Sequence, residues 1–330
     1  MGLLPSARRP CGPRRIDSVS EGFAVSRSKS KYQSKNHLGI VVGVDGSSAA
    51  TSAVRWAARD AELRNVALTL VHVHATTAGT WLGTPLPADW TRGREQWGLQ
   101  VIDEAMKVAE ASCTSPPAHI NCETPSGGVV SSLIALSKDA EMVVVGRRGM
   151  GKLRGRPMGS VSSAVVHHAH CPVAVIHDED PLTEQSAQAP VIVGIDGSRG
   201  AELATAIAFD EASRRKVDLV AVHAWSDIGV MALAGLGPDG IGTPARSSIE
   251  DEVFAERLAG WSEHYPDVSV HRESVRNDPA SVLVDESRQA QLTVVGGQGL
   301  GGFAGMLLGS VSTAVVQLAQ SPVIVAHQRR

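Results

Sequence analysis

An α/β architecture of two tandem doubly wound domains, each a five-stranded parallel sheet flanked by helices and paired about a pseudo-twofold, follows from three features of the 330-residue sequence. The chain repeats itself. A stretch beginning at Gly146 and another beginning at Gly296 share Gly149/Gly299, Gly159/Gly309, Ser160/Ser310 and Pro172/Pro322 at an offset of about 150 residues. "IVVGVDGS", ending at Ser47, matches "VIVGIDGS", ending at Ser198, at nearly the same offset, so each copy has the size of one domain. Within each copy, short apolar runs bounded by turn residues alternate with segments of helical spacing, the pattern of parallel strands joined by helical crossovers. Finally, 43% of residues are hydrophobic but only 4% aromatic, so the cores must be built from Val, Ala, Leu and Ile, which suits strands buried on both faces.

In chain order, residues 1–37 carry Arg8, Arg9, Arg14, Arg15, Arg27, Lys29, Lys31 and Lys35 against Asp17 and Glu21, and are expected to be a disordered basic tail. They lack the apolar core of a secretory signal. A transit peptide and a start codon placed upstream of the true one are both compatible with them. Residues 38–177 form the first expected domain, with strands at Ile40–Val44, Ala67–Val73, His119–Glu123, Met142–Val145 and Val173–Ile176. Its helices are expected at Ala50–Arg64, Gly93–Ser112, Gly127–Lys138 and Ser160–Ala169. The polar stretch 178–189 reads as a linker. In the second domain, 190–330, strands are expected at Val191–Ile195, Leu219–His223, Ser269–Ser274, Leu292–Val295 and Val323–Ala326. The last strands, "VAVI" and "VIVA", have apolar edges that need cover, which predicts pairing of the halves within the chain. Further homodimerisation is not fixed by the sequence.

Removing the basic tail from a net charge of −3 leaves about −9, which argues against nucleic acid as the main partner. No apolar run is long enough for a bilayer span, and no membrane association is expected. The four cysteines (Cys11, Cys113, Cys122, Cys171) form no C-x-x-C pair and do not repeat between copies. Neither a zinc site nor a disulfide framework is expected, and a reducing cytoplasm fits.

Open α/β sheets bind ligands at the carboxyl ends of their strands. After strand one stand Asp45-Gly46-Ser47 and Asp196-Gly197-Ser198; after strand four come G-x-x-G, nine residues and Gly-Ser, in both copies. Glycines permit positive φ and close approach of backbone amides to an anion, and Gly-Ser at a helix start adds free N–H groups, a hydroxyl and the positive helix end. A carboxylate nearby can accept hydrogen bonds from ribose hydroxyls or a base amine. A lone G-x-x-G is ordinarily a turn or cap, but two copies in register describe a nucleotide site. Gly146–Lys152 mimics the start of a P-loop, yet Leu153 stands where Ser or Thr must hold Mg²⁺, and the second copy has no lysine there. The first strand leads into V-D-G-S, not G-x-G-x-x-G, which disfavours a dinucleotide fold. The histidines His72, His74, His167, His168 and His170 invite a metal or catalytic reading. All but His72 are lost in the second copy, where His223 matches it and Trp225, Gln317, Leu318 and Gln320 replace the others, so that reading is set aside. Cys171, matched by Ser321, is equally weak as a nucleophile.

From Gly39 to His327 the chain resembles the universal stress proteins of the tandem type. Its G-2x-G-9x-G-[ST] motif, intact twice, marks that family's ATP-binding members. The resemblance implies a five-stranded parallel α/β fold, ATP lying over the strand ends with adenine held by backbone groups, and pairing through the last strand. It makes Asp45 the adenine or ribose acceptor and Val73 a backbone contact to adenine. Gly43, Gly146, Arg148, Gly149, Gly159, Ser160, Val161 and Ser162 complete that first site. The second comprises Gly194, Asp196, Ala224, Gly296, Gln298, Gly299, Gly309, Ser310, Val311 and Ser312. The implied cofactor is ATP or another adenine nucleotide, with or without Mg²⁺. The implied role is a non-enzymatic, nucleotide-dependent regulator of stress, hypoxia or dormancy responses. A slow ATPase and a structural module with nucleotide as a folding cofactor are the alternatives.

Two loops following strand two, from Thr76 and from Ser226, carry Trp81, Trp90, Met231 and Leu233, which could cover the nucleotide or a partner or simply pack on the sheet rim. Between the motif glycines the first copy carries Arg147, Arg148, Lys152, Arg154 and Arg156; the second carries no basic residue there, but has apolar Phe303, Met306, Leu307 and Leu308. As solvated surface charges these residues would leave the two sites alike; if two or more reach the phosphates, the first site favours ATP over AMP more strongly than the second and loses affinity faster as salt rises.

Overall fold

The computed structural model describes residues 38–75, 88–114, 119–150, 158–177, 188–225, 254–255, 258–299 and 308–327. The expected tail, most of the linker, and Trp81, Met231, Leu233, Lys152, Arg154, Arg156, Phe303, Met306 and Leu307 lie outside the described residues, as does the side chain of Trp90. Among the described residues no helix is long and apolar enough to cross a membrane.

The first half runs β1 (Ile40–Gly43), α1 (Ser48–Arg64), β2 (Leu68–Val71), β3 (His74–Ala75), α2 (Ala88–Ser112), β4 (Ile120–Glu123), β5 (Ser126–Gly127), α3 (Val129–Leu136), β6 (Met142–Gly146), α4 (Ser160–His168) and β7 (Val173–Ile176). The second runs β8 (Val191–Gly194), α5 (Arg199–Arg215), β9 (Leu219–Trp225), β10 (Val270–Arg276), α6 (Pro279–Glu286), β11 (Leu292–Gly296), α7 (Ser310–Leu318) and β12 (Val323–Ala326), with a further helical turn region at 258–264 before β10. One ten-stranded sheet contains both halves, in the order β10-β9-β8-β11-β12-β7-β6-β1-β2-β4. Within each half neighbours are parallel; only β12 and β7 meet antiparallel, pairing Val323 with Val175 and Val325 with Val173. The two apolar last strands thus cover each other's edges. The outer edge strand β10, by contrast, shows His271, Arg272 and Arg276 to solvent, which discourages further strand addition.

Strand residues alternate between two apolar layers. Ile40, Val42, Val144 and Ala174 face the layer under α1, α2 and α5, and Val41, Val143 and Val173 face the one under α3, α4, α6 and α7. Both layers run through both halves, so the sheet is buried on both faces as its composition requires. The repeat also copies the local devices. Ser47 and Ser198 cap α1 and α5 by accepting from the amides of Ala50 and Ala201, each at 3.1 Å. Both helices end in a left-handed residue, Asn65 (φ 53°) and Lys216 (φ 57°).

The structure adds detail the sequence did not show. The strand expected over Ala67–Val73 ends at Val71, because His72 and Val73 leave the β1 ladder and the chain re-pairs as β3 with β5, matching His74 to Ser126. That short ladder takes Gly127 out of the expected third helix, which begins only after its N-cap Gly128. Helix α2 begins earlier than expected, at Ala88.

The halves are also joined by charge. Asp60 and Arg64 on α1 and their pseudo-equivalents Glu211 and Arg215 on α5 form a closed quartet. Arg64 binds Asp60 at 2.7 Å and also Glu211; Arg215 binds Glu211 and Asp60 at 2.8 Å each, and lies over the Trp56 ring. Burial, then the neighbouring Glu211, push the Asp60 carboxyl up to about 6 against the pull of Arg64 and Arg215. Burial likewise opposes ionisation of Glu211, but Arg215 and Arg64 outweigh it and hold that carboxyl below its ordinary range. The two acids share the same pair of guanidinium partners and titrate as a coupled unit.

Candidate functional site

Each half opens a cavity of about 340 Å³ over the carboxyl ends of its strands. This is the size range of small-molecule sites and the place where the strand order reverses, between β1 and β6 and between β8 and β11. All the residues expected in the first site line the first cavity: Gly43, Asp45 and Val73 on one side, Gly146, Arg148 and Gly149 beyond β6, and Gly159, Ser160, Val161 and Ser162 at the start of α4. The second cavity gathers Gly194, Asp196 and Ala224, then Gln298, Gly296 and Gly299, then Gly309, Ser310, Val311 and Ser312.

Asp45 sits in the turn after β1, which Gly46 closes at φ +82°, as Gly197 closes its counterpart at φ +81°. Its carboxylate accepts from the Ser47 amide (3.0 Å) and hydroxyl (2.6 Å) with one oxygen, and from the Met150 amide (3.0 Å) with the other. The acid therefore ties the β1 turn to the loop after β6. Asp196 accepts from the Ser198 amide at 2.9 Å, but the Ser198 hydroxyl turns instead to the Gln298 carbonyl (3.1 Å). Behind the turns, the Nδ1 atoms of His72 and His223 lie 2.9 and 2.8 Å from the carbonyls of Val44 and Ile195. The one histidine retained in both copies thus anchors the strand end that carries the acid.

The motif glycines act differently from the sequence expectation. Among the described residues none of Gly146, Gly149, Gly159, Gly296, Gly299 and Gly309 has a left-handed φ, so positive φ is not what selects them. Close approach selects four. A Cβ on Gly146 or Gly296 would strike the first turn of α1 or α5 at 2.7 or 2.5 Å, and one on Gly149 or Gly299 would strike the acid's Oδ2 at 2.5 or 2.4 Å. Gly159 and Gly309 are unlike these: among the described residues the nearest atom to a Cβ placed on Gly159 is the Arg147 carbonyl oxygen at 3.4 Å, and on Gly309 the Gly299 nitrogen at 3.6 Å, both ordinary contacts. Both are helix N-caps with no side-chain cap, and the first intrahelical bond to each comes from Ser163 or Thr313. The amides of Ser160, Val161 and Ser162, and of their counterparts, therefore lack intrahelical partners at the positive end of the helix. The Ser162 and Ser312 hydroxyls donate to Gly146 and Gly296 carbonyls at 2.6 and 2.5 Å, so they brace the cradle.

Sequence reasoning missed the apolar wall. Val129 and Leu133 of α3 line the first cavity, and Pro279 and Leu283 of α6 line the second. Gly194 is small because Leu283 approaches it, with Cδ1 2.8 Å from an added Cβ; at Gly43 the equivalent Leu133 Cδ1 lies at 3.4 Å, an ordinary contact. The helical apolar period of α3 and α6 was the available signal, but it could not say which apolar residue faces a cavity. Of the basic residues after β6, Arg148 lines the first cavity, whereas the Arg147 guanidinium crosses to the Gln317 carbonyl of the other half at 3.4 Å. Among the described residues no group of three His, Cys, Asp or Glu side chains is placed to hold a metal ion.

The model of the Universal stress protein family matches twice, at residues 39–177 and 189–327. A universal stress protein of Mycobacterium tuberculosis is 54% identical over 292 residues, covering 88% of this chain and 97% of that one. One from Mycolicibacterium smegmatis is 46% identical, covering 90% and 99%. Among solved structures, a universal stress protein from Archaeoglobus fulgidus superposes with a TM-score of 0.62 at 20% identity, covering 89% and 98% of the two chains, a likeness of fold.

Proposed function

Because the chain belongs to the universal stress protein family, we propose that it is an ATP-binding regulator of a stress response whose two sites hold nucleotide without rapid hydrolysis. The observation that carries this reading is the pair of N-cap glycines. Among the described residues a Cβ at Gly159 or Gly309 would make only ordinary contacts, yet both copies keep glycine at the N-cap, in front of helix amides that lack intrahelical partners. A phosphate group docks in front of such an N-cap and uses those amides. Asp45 and Asp196 would meet ribose or adenine, the backbone at Val73 and Ala224 the adenine edge, and Leu133 and Leu283 its apolar face. Both acids already accept backbone amides, and these contacts orient the loops more readily than they would activate a water. Because Asp45 bonds Met150 directly, nucleotide at this acid would bias the loop after β6, a route from occupancy to a partner surface.

Denaturing the purified protein and chromatographing the released small molecules tests the reading, followed by calorimetric titration of the stripped protein with ATP. Adenine nucleotide in the supernatant and two binding events per chain are expected. No recovered nucleotide together with no heat of binding would remove it.

A further inference from the structure

We propose that the cleft between the two halves beside α4 and α5 is a separate binding site for an organic anion with an apolar body. The cleft is about 880 Å³, well above either nucleotide cavity. It adjoins the second of these, Gln298 lining both, and the two are divided where the first turn of α5 presses on the loop after β11, a Cβ on Gly200 falling 2.3 Å from the Gln298 carbonyl oxygen.

The pseudo-twofold supplies the control. At the matching place on the other side, Arg147 fills the space between the halves and donates to the Gln317 carbonyl, and His177 lies buried behind it. Burial, then the Arg147 charge, push that imidazole down to about 4. On the cleft side Arg147 is replaced by Gly297, while the backbone is the same: Arg147 N–H donates to Ile176 at 2.7 Å and Gly297 N–H to Ala326 at 2.9 Å. Gly297 is not among the glycines with left-handed φ, and its Cβ would come no closer than 3.1 Å to any atom. That contact with the Ala326 carbonyl oxygen is tight and a side chain would need a small shift to relieve it, but the equivalent position carries Arg147 on the same backbone hydrogen bond; glycine here provides room.

The walls change with the opening. His167, His168 and His170 of the cleft stand where the opposite side has Gln317, Leu318 and Gln320, and Arg199 stands where it has Ser48. The His167 Nδ1 is held 2.6 Å from the Ser163 carbonyl, which leaves Nε2 as the ring nitrogen available to a ligand. Glu202 is the one carboxylate among the described lining residues, and Leu203, Ala206 and Trp261 give an apolar floor. A concave apolar surface with a guanidinium and several imidazoles at its rim recognises an anion carrying a hydrophobic body.

The test is fluorescence titration of the full chain with anilinonaphthalene sulfonate in excess ATP, beside its uncharged parent, phenylnaphthylamine. A single saturable site is expected, with the uncharged compound about tenfold weaker. Gly297→Arg, which copies the opposite side, should weaken the sulfonate about tenfold, and the triple variant H167Q/H168L/H170Q several-fold, while Glu202→Gln tightens it. ATP affinity should stay unchanged in all three. Equal sulfonate affinity in wild type and the triple variant, or equal affinity for charged and uncharged probes, overturns the proposal. Should Gly297→Arg not fold, the triple variant decides alone, since its new residues already occupy the equivalent positions of the same protein.

Discussion

The two halves are most alike where the backbone faces a cavity and least alike where side chains face each other. The serine caps, the serine amide bonds to Asp45 and Asp196, and the histidines anchored on Val44 and Ile195 are repeated within about 0.1 Å in their hydrogen-bond lengths. Around them Arg148 faces Gln298, Arg147 faces Gly297, and a run of histidines faces glutamine and leucine. A ligand held by amides constrains a main-chain path and therefore glycines, caps and turns. Side chains beyond that path are free to diverge, and their divergence marks where the halves came to do different things.

The sharpest challenge to this comparison is the quartet, where equivalent side chains of the two halves meet each other. Arg64→Met and Arg215→Met should each cost about 3–5 kcal/mol in urea denaturation, since each leaves buried carboxylates short of a partner. A loss under about 1 kcal/mol from either would show that the quartet does not hold the halves together.

Next in size is a pH effect that separates the equivalent acids. The Asp60 carboxyl, at about 6 when folded against 3.8 ordinarily, holds a proton that the unfolded chain releases. Its stabilising contribution is complete below the lower value and lost as pH rises to the upper. Asp60→Asn should therefore flatten a fall in stability of at most about 3 kcal/mol across that window. For Glu211, whose folded carboxyl is depressed, the contribution is instead lost as pH falls, and Glu211→Gln should remove a loss on the acid side. Parallel shifts in the two variants' pH profiles would contradict the opposite directions assigned here.

At the nucleotide sites, Gly159→Glu and Gly309→Glu should each weaken ATP at their own site by at least about a hundredfold, roughly 2.7 kcal/mol, and leave the other site intact. Calorimetry with the second site disabled reads this directly, and undiminished affinity would defeat the cradle assignment. A smaller effect tests the difference in charge. Arg148→Gln, which makes the first cavity resemble the second, should lower the ATP-to-AMP preference several-fold and reduce its salt dependence. Identical ratios before and after would leave the arginine as a solvated surface charge. Smallest is the helix ending, where the second half uses a lysine in left-handed geometry and the first an asparagine. Lys216→Asn should stabilise by about 0.5–1 kcal/mol in thermal or urea unfolding, and no gain would mean that position carries no measurable strain.

Much of this was legible before any coordinates. The repeat, the apolar runs and the turn residues fix strands and helices because those signals are local, and the motif spacing names residues that the structure gathers around one cavity in each half. Local signals also mislead in specific ways. The motif glycines at and after β6 and β11 read as positions for positive φ or close approach to an anion, whereas four of the six are small because a helix turn or a carboxylate of the protein lies against them. Arg147 and Arg148 are neighbours in sequence and read alike, yet one lines the cavity and the other reaches into the opposite half.

The sequence by itself determined the element order, the pairing of the last strands, the acid turns and the N-cap glycines, since each depends on contacts within a few residues or on an exact internal copy. Asp60–Arg64 and Glu211–Arg215 are visible there too, as ordinary pairs four residues apart on a helix. Only the tertiary structure decided that the two pairs lock into one buried quartet, that Leu133 and Leu283 wall the cavities, and that Gly297 opens a cleft which Arg147 closes on the other side. Those outcomes depend on how α1 packs against α5 and how the halves meet across β7 and β12, and a one-dimensional pattern carries no distance between residues about 150 positions apart.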